Sequence, residues 1–409
     1  MPTPNAKRLL DDLYHLRSFG ASGTGVVRPS LSEIDMQARR WLVDRLNDAG
    51  LDAHIDGIGN VFGRSRNPGK KLLVGSHSDT QPTGGWLDGA LGVIYALEAA
   101  RALAEDPATA HLPIEVVAWI DEESTFASCL GSRTFSSMVT EAEFAAAQND
   151  AGLSLADALS QAGLDGEATK PGPGEYLGYL EAHIEQGPHL ELAAKRIGVV
   201  TAIVGSRNFS VRFTGRQNHA GTTPMPVRKD AGIALMSFGH HLNEAFQKIA
   251  SDKSVWTMGR VAFSPGAASI IPGASELHLQ FRDPDDAQLD RLQACAEELV
   301  RQANEKGPVQ VDLEEFSPPT RPANMDAGFQ EHLSAAAVEH APDTWQAMPS
   351  AAVHDAMFVA SVMPAGMMFI PSIDGVSHDF SENTADDDIV LGSQVFTSAI
   401  ARILSQADT

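Results

Sequence analysis

A chain of 409 residues, 43% hydrophobic and 20% charged, can bury a sizeable core and is long enough for two domains. Its formal net charge of -23 disfavours nucleic acid and anionic membrane as partners, while a small anionic substrate can still be held by local arginines and metal ions. The opening MPTPNAKRLLDDLYHL holds no apolar leader, and no stretch reaches the roughly 20 apolar residues of a membrane span. Cys129 and Cys295 are too few for a disulfide framework, so a cytoplasmic protein is expected.

In chain order, the apolar positions Ile34, Met36, Trp41, Leu42 and Leu46 suit an amphipathic helix, with Ser32 as its expected N-cap and Gly50 as its stop. After the turn-rich DGIGN, KLLVGSHSDT reads as a buried strand over 72–74 ending in a polar cluster. Residues 90–104 read as a helix, and IEVVAWI, 114–120, as a second buried strand closing on Asp121, Glu122 and Glu123. Strand, helix, strand is the pattern of an α/β sheet, whose sites form beyond the carboxyl ends of its strands.

From Asn208 to Phe316 the rhythm changes. FSVRFTG reads as a strand, 229–250 as a helix, SVWTMGRVAF and ELHLQF as strands, 287–305 as a helix and VQVDLEEF as a strand. That order is β-α-β-β-α-β, the ferredoxin-like pattern. Beyond the proline-rich SPPTRPAN, GMMFIPSI restores α/β character. The expected architecture is a mixed-sheet α/β catalytic domain over 1–207 and 318–409, interrupted by an inserted α+β domain over 208–317. Gly205 and the stretch near Pro318 are the expected hinges for closure over a substrate.

Acidic and imidazole side chains recur where apolar runs end: His77, Asp79, Asp88, Glu122, Glu123, His183 and His378. Two divalent ions held close together need a shared carboxylate and N/O partners of zinc type. His77, Asp88 and His183 are expected to hold one ion and Asp88, Glu123 and His378 the other, with Asp88 as the bridge. Asp79, two residues beyond His77 on an extended chain, would accept the spare ring N–H. Glu122, beside a ligand but on the alternate face, is left free as a general base. Singly, HSD is also a strand-end loop, LDG a tight turn and DEE a solvated helix start. Their joint occurrence at successive strand ends favours the metal centre.

The stretches GSHSDTQPTGGWLDGALGV, DEES, EAHIEQGP, NHAGTTPM, FRDPDD and GVSHDF, in this order, resemble the hydantoinase/carbamoylase group of dimetal, carboxypeptidase-G-like amidohydrolases. That group includes N-carbamoyl-L-amino acid hydrolases, β-ureidopropionase and allantoate amidohydrolase. The resemblance runs from about Leu16 to Leu404. It implies two divalent ions, zinc or else manganese, cobalt or nickel, with Glu122 as base and Asp79 behind the site. It implies hydrolysis of the ureido or amide C–N bond of a small N-carbamoyl carboxylic acid to ammonia, carbon dioxide and an amino acid. Allantoate hydrolysis, or N-acyl-amino-acid deacylase or dipeptidase activity on the same scaffold, is the alternative.

The same resemblance implies a homodimer, with the inserted domain as dimerisation and lid element and His219 of NHAGTTPM entering the partner's site to stabilise the oxyanion. Substrate contacts are implied for Gln186, Asn218, Gly375, Ser377 and Arg282, whose planar fork suits a carboxylate. Four stretches depart from the pattern. EESTFASCLGSR is shorter than the family's Gly-x-Arg-Phe loop and lacks that arginine. Ser269 opens SIIP in place of Asn, Val353 precedes His-Asp-Ala in place of Gly, and GVVRPS around Arg28 matches only in part. The metal ligands are kept while the specificity pocket is altered.

Overall fold

The computed structural model describes residues 2–317 and 319–407, so the hinge expected at Pro318 lies outside the described residues. The chain divides into two compact units, Met1–Thr201 with Asn324–Thr409, and Ala202–Ala323. The second is wider at both ends than 208–317. Strand Gly205–Thr214 pairs along its whole length with Ala274–Asp283, starting at Gly205 opposite Asp283, and Ser206 bridges Thr320.

The larger unit is a mixed α/β fold. Its sheet runs, in spatial order, Ala323–Asn324, Ile197–Ile203, Ala365–Ile370, Tyr176–Ile184, Lys71–His77, Ile114–Trp119, Val61–Arg64 and Asp52–Ile55, with Trp345–Ser350 also paired to Ile197–Ile203. The four central strands, Ala365–Ile370, Tyr176–Ile184, Lys71–His77 and Ile114–Trp119, are mutually parallel. They are buried on both faces, which explains the near-continuous apolar runs of Lys71–His77, Ile114–Trp119 and Ala365–Ile370. Their carboxyl ends come out together: His77 lies opposite Trp119, and His183 opposite Phe369.

Helix Ala90–Glu105 is buried over almost its entire surface and lies hard against this sheet, because a Cβ on Gly92 would sit 2.3 Å from the Ala182 carbonyl oxygen. Helix Glu33–Asp48 begins as expected. The Ser32 side chain accepts the Asp35 N–H, and Gly50, at φ +87°, continues the chain in a conformation that favours glycine. Within this helix Arg39 and Asp35 form a buried ion pair at 2.9 Å. Arg39 also donates to the carbonyls of Gly59, Ala118 and Trp119, which ties the helix to the end of the Ile114–Trp119 strand.

The smaller unit follows β-α-β-β-α-β: Gly205–Thr214, Ala231–Ile249, Val255–Ser264, Ala274–Asp283, Asp286–Lys306 and Gln310–Glu315. Its four long strands are antiparallel in the order Val255–Ser264, Ala274–Asp283, Gly205–Thr214, Gln310–Glu315. The core is the alternating set Phe209, Val211, Phe213, Leu277, Leu279 and Phe281 packed under Leu235, Phe238, Leu242, Leu289 and Leu292 of the two helices. Among the described residues no helix is long and apolar enough to cross a membrane.

Candidate metal centre

The chain leaves the strand at His77 and returns towards it through Asp88 and Gly89. A glycine is required there: residue 89 has φ +64°, and a Cβ would lie 2.4 Å from His77 Nε2. The Asp88 carboxylate is thereby set between imidazoles from three separate segments. Its Oδ1 lies 3.5 Å from His77 Nε2 and 3.1 Å from His183 Nε2. Its Oδ2 lies 3.3 Å from His378 Nε2, which is 3.7 Å from Glu123 Oε1. Two sets of donor atoms, His77/Asp88/His183 and Asp88/Glu123/His378, each fall within 4.8 Å, and Asp88 belongs to both.

The donor chemistry fits divalent cations. Glu123 Oε1 is buried with no hydrogen-bond partner, an arrangement that costs free energy unless a positive charge sits beside it. Burial, with Asp88 adding its charge, pushes Glu123 up to about 7. The hydrogen bond to Asp88 is the main reason His378 rises to about 9. At His77, burial opposes charging, yet Glu122, Asp79 and Asp88 carry the imidazole well above its ordinary value. At Asp88, burial is outweighed by His183, His378 and His77, which hold the carboxyl well below the usual range. Carboxylates crowded this closely are the setting that cations relieve.

Glu122 belongs to neither set. Its Oε2 is 3.7 Å from His77 Nε2, and its Oε1 accepts the Cys129 thiol at 3.5 Å. Burial, helped by Glu123, Asp355 and Asp88, raises its pKa well above the carboxylate range against the opposing pull of His77. Asp79 faces both His77 and the backbone of the EE pair. Because the strand stops at His77, the nearest oxygen to His77 Nδ1 is the Asp79 carbonyl at 3.2 Å, with the carboxylate at 3.7 Å. That carboxylate also accepts the Glu123 N–H at 3.1 Å and the Glu122 N–H at 3.4 Å, so it orients the EE pair itself.

The loop after Glu123 winds around Asp121, whose carboxylate accepts the N–H groups of Thr125, Phe126 and Ala127 at 2.7, 2.9 and 2.8 Å. Arg28, fully buried, donates to the Ser78 carbonyl at 2.7 Å and anchors the segment behind Asp79. Gln186, at φ +57°, donates its amide to Asp88 Oδ2 at 3.0 Å and lies 3.2 Å from Ser377 Oγ. Gly375, at φ +67°, passes close to Pro188, whose N a Cβ would meet at 2.7 Å. Sequence reasoning missed His354, packed edge-on to His183 at 4.5 Å, and the buried carboxylates of Glu181 and Asp355 beneath the site. Only the motif HDA hinted at them.

Asn218, His219 and Arg282 belong to the smaller unit. Asn218 and His219 pair with Ile271 and Ile270, and Ala220 N–H donates to the Ser269 carbonyl at 3.0 Å. His219 is exposed, and its Nδ1 accepts N–H groups from Gly221 and Thr222 at 3.0 and 3.2 Å. A ring nitrogen that accepts N–H groups carries no proton, which assigns the N–H of this tautomer to Nε2. Arg282 Nε donates to Gln280 Oε1 at 3.1 Å.

The sequence signature of the peptidase family M20/M25/M40 matches residues 73–402, and the chain belongs to that family. It is 34% identical to the N-carbamoyl-L-amino-acid amidohydrolase of Paenarthrobacter aurescens, with 98% of each chain covered. It is 30% identical to the allantoate amidohydrolase of Bacillus subtilis over 97% of both. A crystal structure of a hydantoinase/carbamoylase family amidase from Burkholderia phymatum superposes with a TM-score of 0.95 at 51% identity, covering 100% of this chain and 99% of that one. The chain is thus a hydrolase among amidohydrolase relatives.

Proposed function

We propose that the protein hydrolyses the ureido C–N bond of a small N-carbamoyl carboxylic acid. The observation that carries this reading is the Asp88 carboxylate, whose two oxygens face different imidazoles while Glu122 stays outside both donor sets. Two relatives support the same direction, one an N-carbamoyl-L-amino-acid amidohydrolase and the other an allantoate amidohydrolase. Two divalent ions, zinc by donor set or else manganese, cobalt or nickel, would supply a lowered water pKa and stabilisation of negative charge on the carbonyl oxygen.

The side chains then divide the remaining work. Glu122 takes a proton from the attacking water and returns it to the leaving nitrogen, which departs as ammonia. The N-carboxy product loses carbon dioxide to give the amino acid. Asp79 holds the backbone of Glu122 and Glu123 in place. Gln186, Gly375 and Ser377 line the Asp88 side of the substrate, and Arg282 and Asn218 supply its carboxylate and polar contacts.

In this reading the larger unit is catalytic, and the smaller is a ferredoxin-like dimerisation and lid domain of a cytoplasmic homodimer. His219 offers its Nε2–H to the oxyanion in the partner's site. The exposed outer strand Val255–Ser264 and the exposed Ile233, Met236 and Val255 support the dimer, since an uncovered strand edge with apolar neighbours invites pairing.

The test is a panel of N-carbamoyl-α-amino acids, 3-ureidopropionate, allantoate, N-acetyl amino acids and dipeptides, assayed for ammonia and amino acid after loading with zinc or manganese. Ammonia from a carbamoyl amino acid is expected. Release of amino acid from acetyl or peptide substrates alone would replace this reading by the deacylase or dipeptidase one, and ammonia from allantoate alone would narrow it to that substrate.

A further inference from the structure

We infer that Glu382 is a positioning residue that locks the shared Asp88 carboxylate to the loop carrying His378, and so sets the affinity of the Asp88/Glu123/His378 ion site. The inference rests on the dinuclear reading above. Glu382 is 1% exposed, yet it is neither in a donor set nor on a strand. Its Oε1 accepts the backbone N–H groups of Leu87 and Asp88 at 3.2 and 3.1 Å, and its Oε2 accepts the Ser377 hydroxyl at 2.9 Å. The Ser377 hydroxyl is in turn 3.3 Å from Asp88 Oδ2. One carboxylate therefore joins the backbone of the bridging aspartate to Ser377, the residue immediately before His378 and 289 positions from Asp88 in sequence.

The surroundings are shaped for this contact. A Cβ on Gly85 would lie 1.9 Å from Glu382 Oε1, so the loop passes over the carboxylate only because residue 85 is glycine. Trp86 Nε1 donates to Asn383 Oδ1 at 3.3 Å, a second tie between the same loops.

The two ion sites depend on the tie unequally. His77 and His183 have side chains 2% and 1% exposed and belong to central strands, so the sheet fixes them. His378 has a side chain 50% exposed and sits at φ +55° outside any helix or strand. Its position depends on its loop, and the loop is held to Asp88 through Ser377 and Glu382. Partners behind a metal ligand typically alter metal affinity by about 10- to 100-fold when removed.

The experiment is calorimetric titration of the chelator-stripped full chain with zinc, for wild type, Glu382→Ala, Glu382→Gln and Gly85→Ala, with melting curves in chelator as the fold control. Wild type is expected to bind two ions. Glu382→Ala is expected to keep the first within about threefold and to lose about 10- to 100-fold at the second. Glu382→Gln, whose amide oxygen still accepts both N–H groups, is expected to restore most of that loss. Gly85→Ala, which keeps every carboxylate but displaces this one, is expected to reproduce it, and it decides the matter should Glu382→Ala not fold. Two ions bound by Glu382→Ala and Gly85→Ala with wild-type affinities, or equal weakening of both sites, would overturn the inference. Fewer than two ions on wild type would instead remove the dinuclear reading beneath it.

Discussion

Glu122→Gln is expected to lower kcat between about a hundredfold and ten thousandfold, the range set by losing a positioned general base, while the protein still binds two ions. The glutamine keeps the shape of the side chain but cannot accept a proton. Glu122 lies beside His77 and the Cys129 thiol, outside the donor sets formed around Asp88, so its loss leaves every ligand in place. Steady-state ammonia release and metal content measured on the same preparation separate the two effects. If the variant loses metal in proportion to activity, Glu122 is a ligand and the assignment of the base is wrong.

Asp88→Ala is expected to have the broader effect, because the one carboxylate serves both donor sets. Neither ion should be retained through gel filtration, and turnover should fall to background. A bound ion stabilises a folded protein by RT ln(1 + [L]/Kd), about 4 kcal/mol at a thousandfold excess over Kd. Wild-type melting temperature should therefore rise by several degrees when chelated protein is reloaded, and that of Asp88→Ala should not respond. A metal-dependent rise of wild-type size in the variant would show that the ions bind elsewhere.

The sequence made some of this legible for a physical reason. Parallel strands buried on both faces must be almost wholly apolar, so 72–74 and 114–120 stood out, and the polar residues directly after them had to lie at the sheet's carboxyl edge. Ser32 and Gly50 likewise act locally, through a side-chain cap and a positive φ. Strand Tyr176–Ile184 was less visible, because Gly178, Glu181 and His183 interrupt its apolar run, although burial extends across it. Helix Asp386–Ala407 is masked in the sequence by its opening run of aspartates.

At the site, the groups that act through contacts distant in sequence were the hardest to foresee. Strand alternation places Asp79 near His77, and its carboxylate lies 3.7 Å from His77 Nδ1, but alternation gives no sign that the same carboxylate also accepts the Glu122 and Glu123 backbone N–H groups. Glu382 carries no local signal of its own. Its partners, Leu87 and Asp88, are brought to it only by the folded loops, and a buried carboxylate cannot be told from a solvated one in SENTADDD.

Anomalous diffraction from crystals of the zinc-loaded protein, collected at the zinc absorption edge, addresses the centre of the account most directly. Two peaks about 3.5 Å apart are expected, one among His77, Asp88 and His183, the other among Asp88, Glu123 and His378, with no peak coordinated by Glu122. A lone peak, or peaks that do not share Asp88, would contradict it.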